Sequence, residues 1–215
     1  MIKLATLYIV ILAYLIGSIP FALIVGKFKY GADVRDFGSG NLGASNSALV
    51  LGKKAGVLVL LGDVSKGVLA TSLPTLLNTE VNTILVGVAV ILGHCFPIFA
   101  GFRGGKAVAP TAGVLLSSSP VMFLTGYTTF FLVVFITKYV FLGSLSIGIA
   151  LLVHSVFIGE QVLMIVFAIF TLFMVYLHRT NVMNYFNGKE VKINDKRIKK
   201  YQQDIKEELS QRVIN

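Results

Sequence analysis

Charged residues are scarce in this sequence of 215 residues, of which only 13% are Asp, Glu, Lys or Arg. A soluble globular domain carries roughly 25%. Hydrophobic residues make up 55% of the chain, the mean hydropathy is +0.82, and the apolar residues stand in long runs. These values exclude a soluble globular protein and indicate an integral membrane protein.

Cysteine is nearly absent too, since Cys95 is the single one, and this excludes a disulfide framework within the chain. No cluster of His, Cys and carboxylates has metal-ligand spacing, and neither a Gly-x-Ser-x-Gly elbow nor a Walker-type loop occurs. No histidine is followed four residues on by the aspartate that orients the catalytic histidine of many acyltransferases. The sequence therefore predicts no metal or cofactor, and predicts that catalysis relies on binding and orienting anions.

Seven apolar runs predict membrane-spanning helices, because about 20 apolar residues cross a bilayer. The first run lacks a small-residue cleavage site and is expected to be a retained span. The fourth is short because Ser117-Ser118-Ser119-Pro120 interrupts it, so six spans are the alternative. The predicted spans are 4–26, 55–77, 83–100, 108–118, 121–137, 139–156 and 161–177.

The distribution of Lys and Arg favours seven spans and predicts an orientation. With the N-terminus outside, one side receives Lys27, Lys29, Arg35, Lys53, Lys54, Arg103, Lys106, Lys138 and the tail from Arg179. The opposite loops, around 78–82, 117–120 and 157–160, contain no Lys or Arg, and only Lys3 lies with them. By the positive-inside rule the basic side is cytoplasmic. Basic loops facing anionic lipid then explain the formal net charge of +9 without nucleic acid.

The predicted fold is therefore all-α: a polytopic bundle of about seven transmembrane helices, with the N-terminus outside and the C-terminus cytoplasmic. Residues 1–177 are predicted to form the transmembrane domain. Residues 178–215 are predicted to form a basic cytoplasmic tail rather than a second domain. A helical pattern in Tyr201–Val213 indicates a solvated or headgroup-associated helix.

Three polar clusters fall on the predicted cytoplasmic side. Glycines and short donors in Gly38–Asn46 suit an anion cradle. The second cluster, Gly93–Lys106, ends in a Gly-Gly-Lys turn before a span, where backbone N–H groups and a lysine can hold an anion. The third is His178-Arg179-Thr180-Asn181. Each alone is also compatible with a tight turn, a helix-packing point or a topology anchor, whereas the three together suit a doubly anionic ligand.

Ionisable residues also occur within the second and third spans, where they are costly and face a bundle interior or a cavity. Asp63 and Lys66 share a helix face because they are three residues apart. Two interpretations are open: a structural ion pair, or a Lys66 that holds a phosphate while Asp63 orients it. His94 is predicted either to cap its helix or to contact a substrate.

Five segments together resemble the bacterial membrane acyl-phosphate:glycerol-3-phosphate acyltransferases, the PlsY family. They are Gly17-Ser18-Ile19-Pro20, Gly38–Asn46, Asp63-Val64-Ser65-Lys66-Gly67, Gly93–Lys106 and His178-Arg179-Thr180-Asn181. They occur in the family's order and cover the chain to about residue 190. The resemblance implies seven transmembrane helices and a cytoplasmic active site in the bacterial cell membrane.

The resemblance implies transfer of a fatty acyl group from acyl phosphate to the 1-hydroxyl of glycerol 3-phosphate. The products are 1-acyl-glycerol 3-phosphate and phosphate, in the first step of phospholipid synthesis. Acyl phosphate is already activated, which agrees with the missing nucleophile. Contact with membrane lipid, and with other enzymes of phospholipid synthesis, is also expected.

Residue roles are carried over from the family by position. The acyl phosphate would be held by Ser39, Gly40, Asn41, Gly43, Ser45 and Asn46. Lys106, His178 and Asn181 would be the catalytic residues that hold glycerol 3-phosphate. The remaining predicted substrate-binding residues are Lys66, His94, Gly104, Gly105 and Ser144.

Several positions depart from the family pattern. Ser45 replaces a threonine and Arg103 replaces a lysine, whereas Leu49 stands where the family has an arginine. Pro110 replaces a threonine and Phe141 a serine. Loss of an arginine–phosphate pair would cost roughly 2–5 kcal/mol. A diverged, non-catalytic paralogue that binds lipid precursors is therefore the main alternative, and a phosphometabolite transporter, which usually holds its charges near mid-membrane, is a weaker one.

Overall fold

A computed structural model describes residues 4–214, so Lys3 lies outside the described residues. The described chain contains helices and no strands. Short 3₁₀ turns occur at Val34–Asp36 and Ile98–Ala100. The helices are α1 Leu4–Gly17, α2 Phe21–Tyr30, α3 Ala44–Leu51, α4 Lys53–Leu76, α5 Thr83–Cys95, α6 Val108–Ser118, α7 Pro120–Thr137, α8 Val140–Ile158, α9 Gln161–Leu177, α10 Arg179–Phe186 and α11 Arg197–Ile214.

The predicted all-α membrane fold is confirmed. Five segments are long and apolar enough to cross a bilayer: Leu4–Tyr30, α4, Thr83–Ala100, α7 and α8. A sixth is obtained if α9 and α10, which meet at a bend of 55°, count as one span. The predicted short fourth segment corresponds to α6, which is apolar but has only 11 residues. Seven spans and their orientation stay predictions.

The first predicted span is broken between α1 and α2. Pro20 lacks a backbone N–H and precedes the first residue of α2, so the chain loses helical hydrogen bonds there. The buried Ser18 is satisfied at the end of α1, because its N–H, at 2.8 Å, and its hydroxyl, at 2.9 Å, both donate to the Tyr14 carbonyl. The carbonyl of Ile19 accepts a hydrogen bond from Lys66 of α4 over 3.1 Å. A broken helix inside a membrane protein is stable when such groups are satisfied by neighbours.

The chain forms two compact units. The first comprises residues 1–118 and 196–215, and the second comprises residues 119–195. In the first unit, helices approach closely at glycines, as is common in membrane proteins. Gly67 of α4 and Gly113 of α6 face each other so closely that a methyl group on Gly67 would lie 2.9 Å from the Val114 nitrogen. Gly93 of α5 lies against the backbone of α1 in the same way.

The second unit consists of α7, α8, α9 and α10. Gly143 of α8 lies against α7, and Gly148 lies against Thr171 of α9. An aromatic cluster connects the start of α8 to α10: the Phe141 ring lies 5.7 Å from Tyr185 and 6.1 Å from Tyr139. The division of the chain at residue 177 stays a prediction.

The C-terminal helix α11 is an element of the first unit. The helix predicted for Tyr201–Val213 is confirmed, and it begins earlier, at Arg197. It was predicted to be solvated or headgroup-associated, and one of its faces is instead buried within the first unit. Ile205 is buried against Ala32, Phe37 and Val50 because its apolar neighbours recur at helical spacing and form a stripe.

Candidate functional site

The Gly38–Asn46 loop turns twice before it enters α3. Gly38 and Gly40 have φ values of 61° and 67°, a left-handed conformation that glycine adopts without steric cost. Gly43 then directly precedes α3. Ser39 and Ser45 are exposed and Asn41 is half-buried, so short polar side chains remain accessible. The loop thus presents short polar side chains at its surface, and its role as an anion cradle stays a prediction.

The side chain of Asn46 holds this loop in its conformation through hydrogen bonds to the backbone. It is buried, and its Oδ1 accepts the Ser39 N–H over 2.9 Å. Its Nδ2 donates to the carbonyls of Val34 at 2.9 Å and Phe37 at 3.3 Å. Sequence reasoning grouped Asn46 with the substrate ligands, but these contacts assign its amide to holding the loop. It is a positioning residue.

The first and second polar clusters contact each other. The Leu42 N–H donates to the Gly104 carbonyl over 3.3 Å, and the Gly105 N–H donates to the His94 carbonyl over 3.0 Å. Gly105 is buried, and a methyl group there would overlap the His94 ring and approach the Leu42 carbonyl to 2.8 Å. The glycines therefore allow the Gly38–Asn46 loop, called the anion loop below after its proposed ligand, to pack against the turn that carries Lys106.

Lys106 directly precedes a strained residue. Ala107 is fully buried and has a φ of 66°, in the left-handed region that residues with a Cβ rarely adopt. Lys106 itself is half-buried at the entrance to α6. Backbone strain of this kind costs about 1–3 kcal/mol and persists where the surroundings impose it, often at functional sites. Sequence reasoning missed this feature of Ala107.

The Asp63–Lys66 ion pair is confirmed. The two side chains are almost fully buried, and Lys66 Nζ lies 2.9 Å from Asp63 Oδ1. His94 Nδ1 approaches the same oxygen to 3.5 Å, a contact that neither of the two predictions for His94 anticipated. A buried charge must be paired, and Lys66 also binds a main-chain carbonyl of the broken helix. These contacts favour the structural interpretation of Lys66.

A small cavity lies beside this ion pair. Its volume is about 10 Å³, and Lys66, His94, Leu42 and Gly104 are among the residues that line it. A volume near 10–15 Å³ accommodates about one water molecule and is too small for a phosphate group. The ion pair of Asp63 and Lys66 therefore lies next to Leu42 and Gly104 of the two contacting loops, in a space that does not hold a phosphate.

Asp33 and Arg35 connect the anion loop to the 3₁₀ turn at Ile98–Ala100. Arg35 makes a two-pronged contact with the Asp33 carboxylate, at 3.0 Å through Nε and 2.7 Å through Nη2. Its Nη1 donates to the Ala100 carbonyl over 3.3 Å. The hydrogen bond from Arg35 lowers the pKa of Asp33 from 3.8 to about 2, against the opposing effect of burial.

Asp33→Asn is expected to lower the melting temperature in detergent at pH 5–7 by an amount equivalent to about 1 kcal/mol. Because the pKa of Asp33 is depressed from 3.8 to about 2 in the folded chain, its stabilising effect is complete well above 3.8 and is lost as the pH falls through 2. The difference between variant and wild type should therefore shrink from about pH 5 downwards and vanish only below pH 2. The neighbouring exposed Asp36→Asn is the control, and an equal loss in both variants would contradict the assignment.

His178 lies in the second unit, at the bend between α9 and α10. It is buried, and its Nδ1 lies 2.9 Å from the Met174 carbonyl oxygen. A carbonyl oxygen can only accept, so Nδ1 carries a proton, and this contact holds the ring against the end of α9.

Asn181 is positioned by a residue that sequence reasoning missed. Its Nδ2 donates to Glu190 Oε1 over 2.7 Å, which fixes the orientation of the amide. A lone carboxylate nine residues further along a charged tail gave no signal of this role. Ser144 is buried in α8 and its hydroxyl donates to the Val140 carbonyl over 3.0 Å.

The three main departures from the family pattern have different structural settings. Pro110 lies in the first turn of α6, where proline is tolerated because those N–H groups have no helical partner. Phe141 is buried in the aromatic cluster of the second unit. Leu49 is half-buried near the end of α3, beyond the anion loop. Of the three, only the change at position 49 removes a charge.

The fold and site together define a polytopic helical membrane protein in which the glycine-rich Gly38–Asn46 loop contacts the turn that carries Lys106. A family model described as glycerol-3-phosphate acyltransferase matches residues 7–188. The chain belongs to this family.

Similar proteins agree with that assignment. The glycerol-3-phosphate acyltransferase of Bacillus subtilis (strain 168) is 49% identical over 185 residues, or 86% of this chain and 96% of that protein. The glycerol-3-phosphate acyltransferase of Bacillus velezensis is 47% identical, again over 86% of this chain and 96% of that protein. A crystal structure of PlsY (YgiH), an integral membrane glycerol 3-phosphate acyltransferase, in its glycerol 3-phosphate form matches with a TM-score of 0.81 and 34% identity, over 88% of this chain and 96% of that chain. Its lysophosphatidic acid form matches with a TM-score of 0.77.

Proposed function

We propose that this chain transfers a fatty acyl group from acyl phosphate to the 1-hydroxyl of glycerol 3-phosphate. The products are 1-acyl-glycerol 3-phosphate and phosphate. The observation that carries the proposal is the contact between Leu42 and Gly104, which joins the anion loop to the Lys106 turn. Membership of the glycerol-3-phosphate acyltransferase family supports the same reaction.

The anion loop is the proposed site for the donor. The side chains of Ser39, Asn41 and Ser45 would surround the phosphate of acyl phosphate, on a loop whose Gly40 and Gly43 N–H groups already donate to the carbonyls of Phe37 and Asn41. Such preformed donors stabilise negative charge as it develops on a leaving group. The buried amide of Asn46 keeps the loop in this conformation before the substrate arrives.

Lys106, His178 and Asn181 are the proposed ligands of glycerol 3-phosphate. Lysine attracts the phosphate of the acceptor as a point charge. The ring of His178, held through its Nδ1, would contact the attacking hydroxyl, and the amide of Asn181, fixed by Glu190, would orient the glycerol. Holding the hydroxyl near the acyl carbonyl replaces a bimolecular encounter with an oriented attack.

The reaction then needs no protein nucleophile. The hydroxyl oxygen forms a bond to the acyl carbon, and the bond between that carbon and the phosphate oxygen breaks. The hydroxyl proton leaves with the phosphate. The loop and Lys106 contribute by binding the charged groups, and this agrees with the absence of a nucleophile motif in the sequence.

Seven spans, an outside N-terminus and an active site facing the cytoplasm complete the proposal. The basic loops of the sequence support this orientation in a bacterial cytoplasmic membrane. The proposal is tested by phosphate release from membranes that contain the chain. Release should require acyl phosphate and glycerol 3-phosphate together, and release that needs only one of them would contradict acyl transfer.

Leu49→Arg is expected to raise kcat/KM for glycerol 3-phosphate at least about tenfold, because one charged contact to a phosphate is typically worth 2 kcal/mol or more. Leu49→Gln, which is polar and uncharged, is the control and should leave the value near that of the wild type. A wild type that binds both substrates without turnover, together with an active Leu49→Arg variant, would favour the non-catalytic paralogue instead.

A further inference from the structure

The C-terminal helix α11 lies against the anion loop and α3, and its contacts are specific. The phenol oxygen of Tyr201 accepts the Gly38 N–H over 2.7 Å. One residue later, Gln202 Nε2 donates to the carbonyls of Ala48 at 2.9 Å and Leu49 at 3.1 Å. α11 therefore makes polar contacts at the start of the loop and at the end of the helix that follows it.

An apolar contact holds α11 in this position. Ile205 is buried in a cluster with Ala32, Phe37 and Val50, and Leu209 packs against the same cluster. Tyr201, Ile205 and Leu209 follow each other at intervals of four residues, so they share one face of the helix. The remaining positions are largely exposed and carry most of the charges of the helix.

α11 lies beyond the part of the chain that the family shares. The family model ends at residue 188, before α11 begins at Arg197. The Bacillus subtilis relative is already aligned over 96% of its length, so its remainder is too short for a helix of 18 residues. An effect of α11 on the anion loop is therefore a feature of this chain and is not required for the family's reaction.

We infer that Tyr201 and Gln202 are positioning residues for the acyl-phosphate loop. Gln202 binds carbonyls at the end of α3 that lack helical partners, and this fixes the helix that the loop enters. Tyr201 fixes the first turn of the loop. A phenol that accepts one hydrogen bond keeps its own proton as a donor, so Tyr201 also adds an O–H group beside the loop.

Leu49 takes part in this arrangement only through its carbonyl, which Gln202 binds. Order imposed on the loop by α11 lowers the entropic cost of binding a phosphate there. The inference rests on the proposed function, because the acyl phosphate is taken as the ligand of the loop.

The test compares Gln202→Ala with Gln203→Ala, two identical changes at neighbouring positions, of which only Gln202 faces α3. Tyr201→Phe removes the hydroxyl alone. The equilibrium affinity of the full-length protein for hexadecanoyl phosphate is measured without acceptor. Hydrogen exchange at Gly38 reports the order of the loop. KM values for both substrates are measured separately.

Gln202→Ala and Tyr201→Phe are expected to weaken hexadecanoyl phosphate binding about 3-fold to 10-fold, the effect of one hydrogen bond. In Tyr201→Phe, exchange at Gly38 should accelerate by a similar factor. KM for acyl phosphate should rise while KM for glycerol 3-phosphate stays constant, a split that general destabilisation does not produce. Gln203→Ala should match the wild type in every measurement.

Equal affinities in Gln202→Ala, Tyr201→Phe and Gln203→Ala would overturn the inference. So would tighter binding in Tyr201→Phe, because it would show that the phenol competes with the substrate for the Gly38 N–H. A wild type that binds hexadecanoyl phosphate without transferring the acyl group would contradict the proposed function alone. The affinities of the variants would still decide the role of α11.

Discussion

Lys106→Ala is expected to lower kcat/KM for glycerol 3-phosphate by about 30-fold to several thousand-fold. The range corresponds to the 2–5 kcal/mol that loss of a partly buried charge from a phosphate contact costs. Lys106 is half-buried, lies next to the strained Ala107 and follows the two glycines that pack on His94. Initial rates of phosphate release at varied glycerol 3-phosphate measure the effect.

The matched control is Arg103→Ala, which removes a cation from the same segment at an exposed position. It should change kcat/KM less than threefold, because an exposed charge near a membrane surface is screened by water and salt. Lys106→Arg should recover only part of the activity, since a planar guanidinium does not reproduce a point charge. Equal losses of kcat/KM in Lys106→Ala and Arg103→Ala would contradict a phosphate contact and would indicate that Lys106 only anchors the topology.

Gly105→Ala is expected to abolish at least 99% of the activity. The added methyl group would overlap the His94 ring and lie 2.8 Å from the Leu42 carbonyl oxygen, so the anion loop and the Lys106 turn must move apart. Misplacement by about 1 Å can cost a hundredfold in rate. Overpacking also lowers stability by about 1–3 kcal/mol, which thermal unfolding in detergent would measure.

Gly101→Ala is the control that separates loss of stability from displacement of the two loops. Gly101 has a φ of 64°, so alanine there is strained, but no atom lies within 4 Å of the added methyl group. This variant should lose about 1 kcal/mol of stability and keep most of its activity. Equal losses of activity in Gly101→Ala and Gly105→Ala would contradict the claim that Gly105 is needed for the contact between the anion loop and the Lys106 turn.

Much of the fold follows from the sequence because the bilayer restricts what an apolar chain can form. Runs of about 20 apolar residues must be helical, since backbone groups in lipid have no other partners. The short α6 was predictable from Ser117-Ser118-Ser119-Pro120, which interrupts the run. The ion pair of Asp63 with Lys66 also rests on a local rule of spacing, whereas the break at Pro20 was not anticipated within the predicted span 4–26.

The parts of the site that depend on long-range contacts were not predictable. Asn46 matches the loop in composition, and only the structure shows that its amide points inward to the backbone. The role of Glu190 depends on how the chain returns to Asn181 after α10. α11 could be predicted as a helix from its periodicity, but nothing in a charged tail indicates that Tyr201 contacts Gly38, 163 residues earlier.

The central claim is that the anion loop binds an acyl phosphate whose acyl group passes to glycerol 3-phosphate. The most direct measurement uses vesicles that contain the chain, radiolabelled glycerol 3-phosphate and either hexadecanoyl phosphate or hexadecanoyl-coenzyme A. The account predicts labelled 1-hexadecanoyl-glycerol 3-phosphate with the acyl phosphate alone, and little or none in Lys106→Ala vesicles. Equal product from both donors, or no product above the Lys106→Ala level, would contradict it.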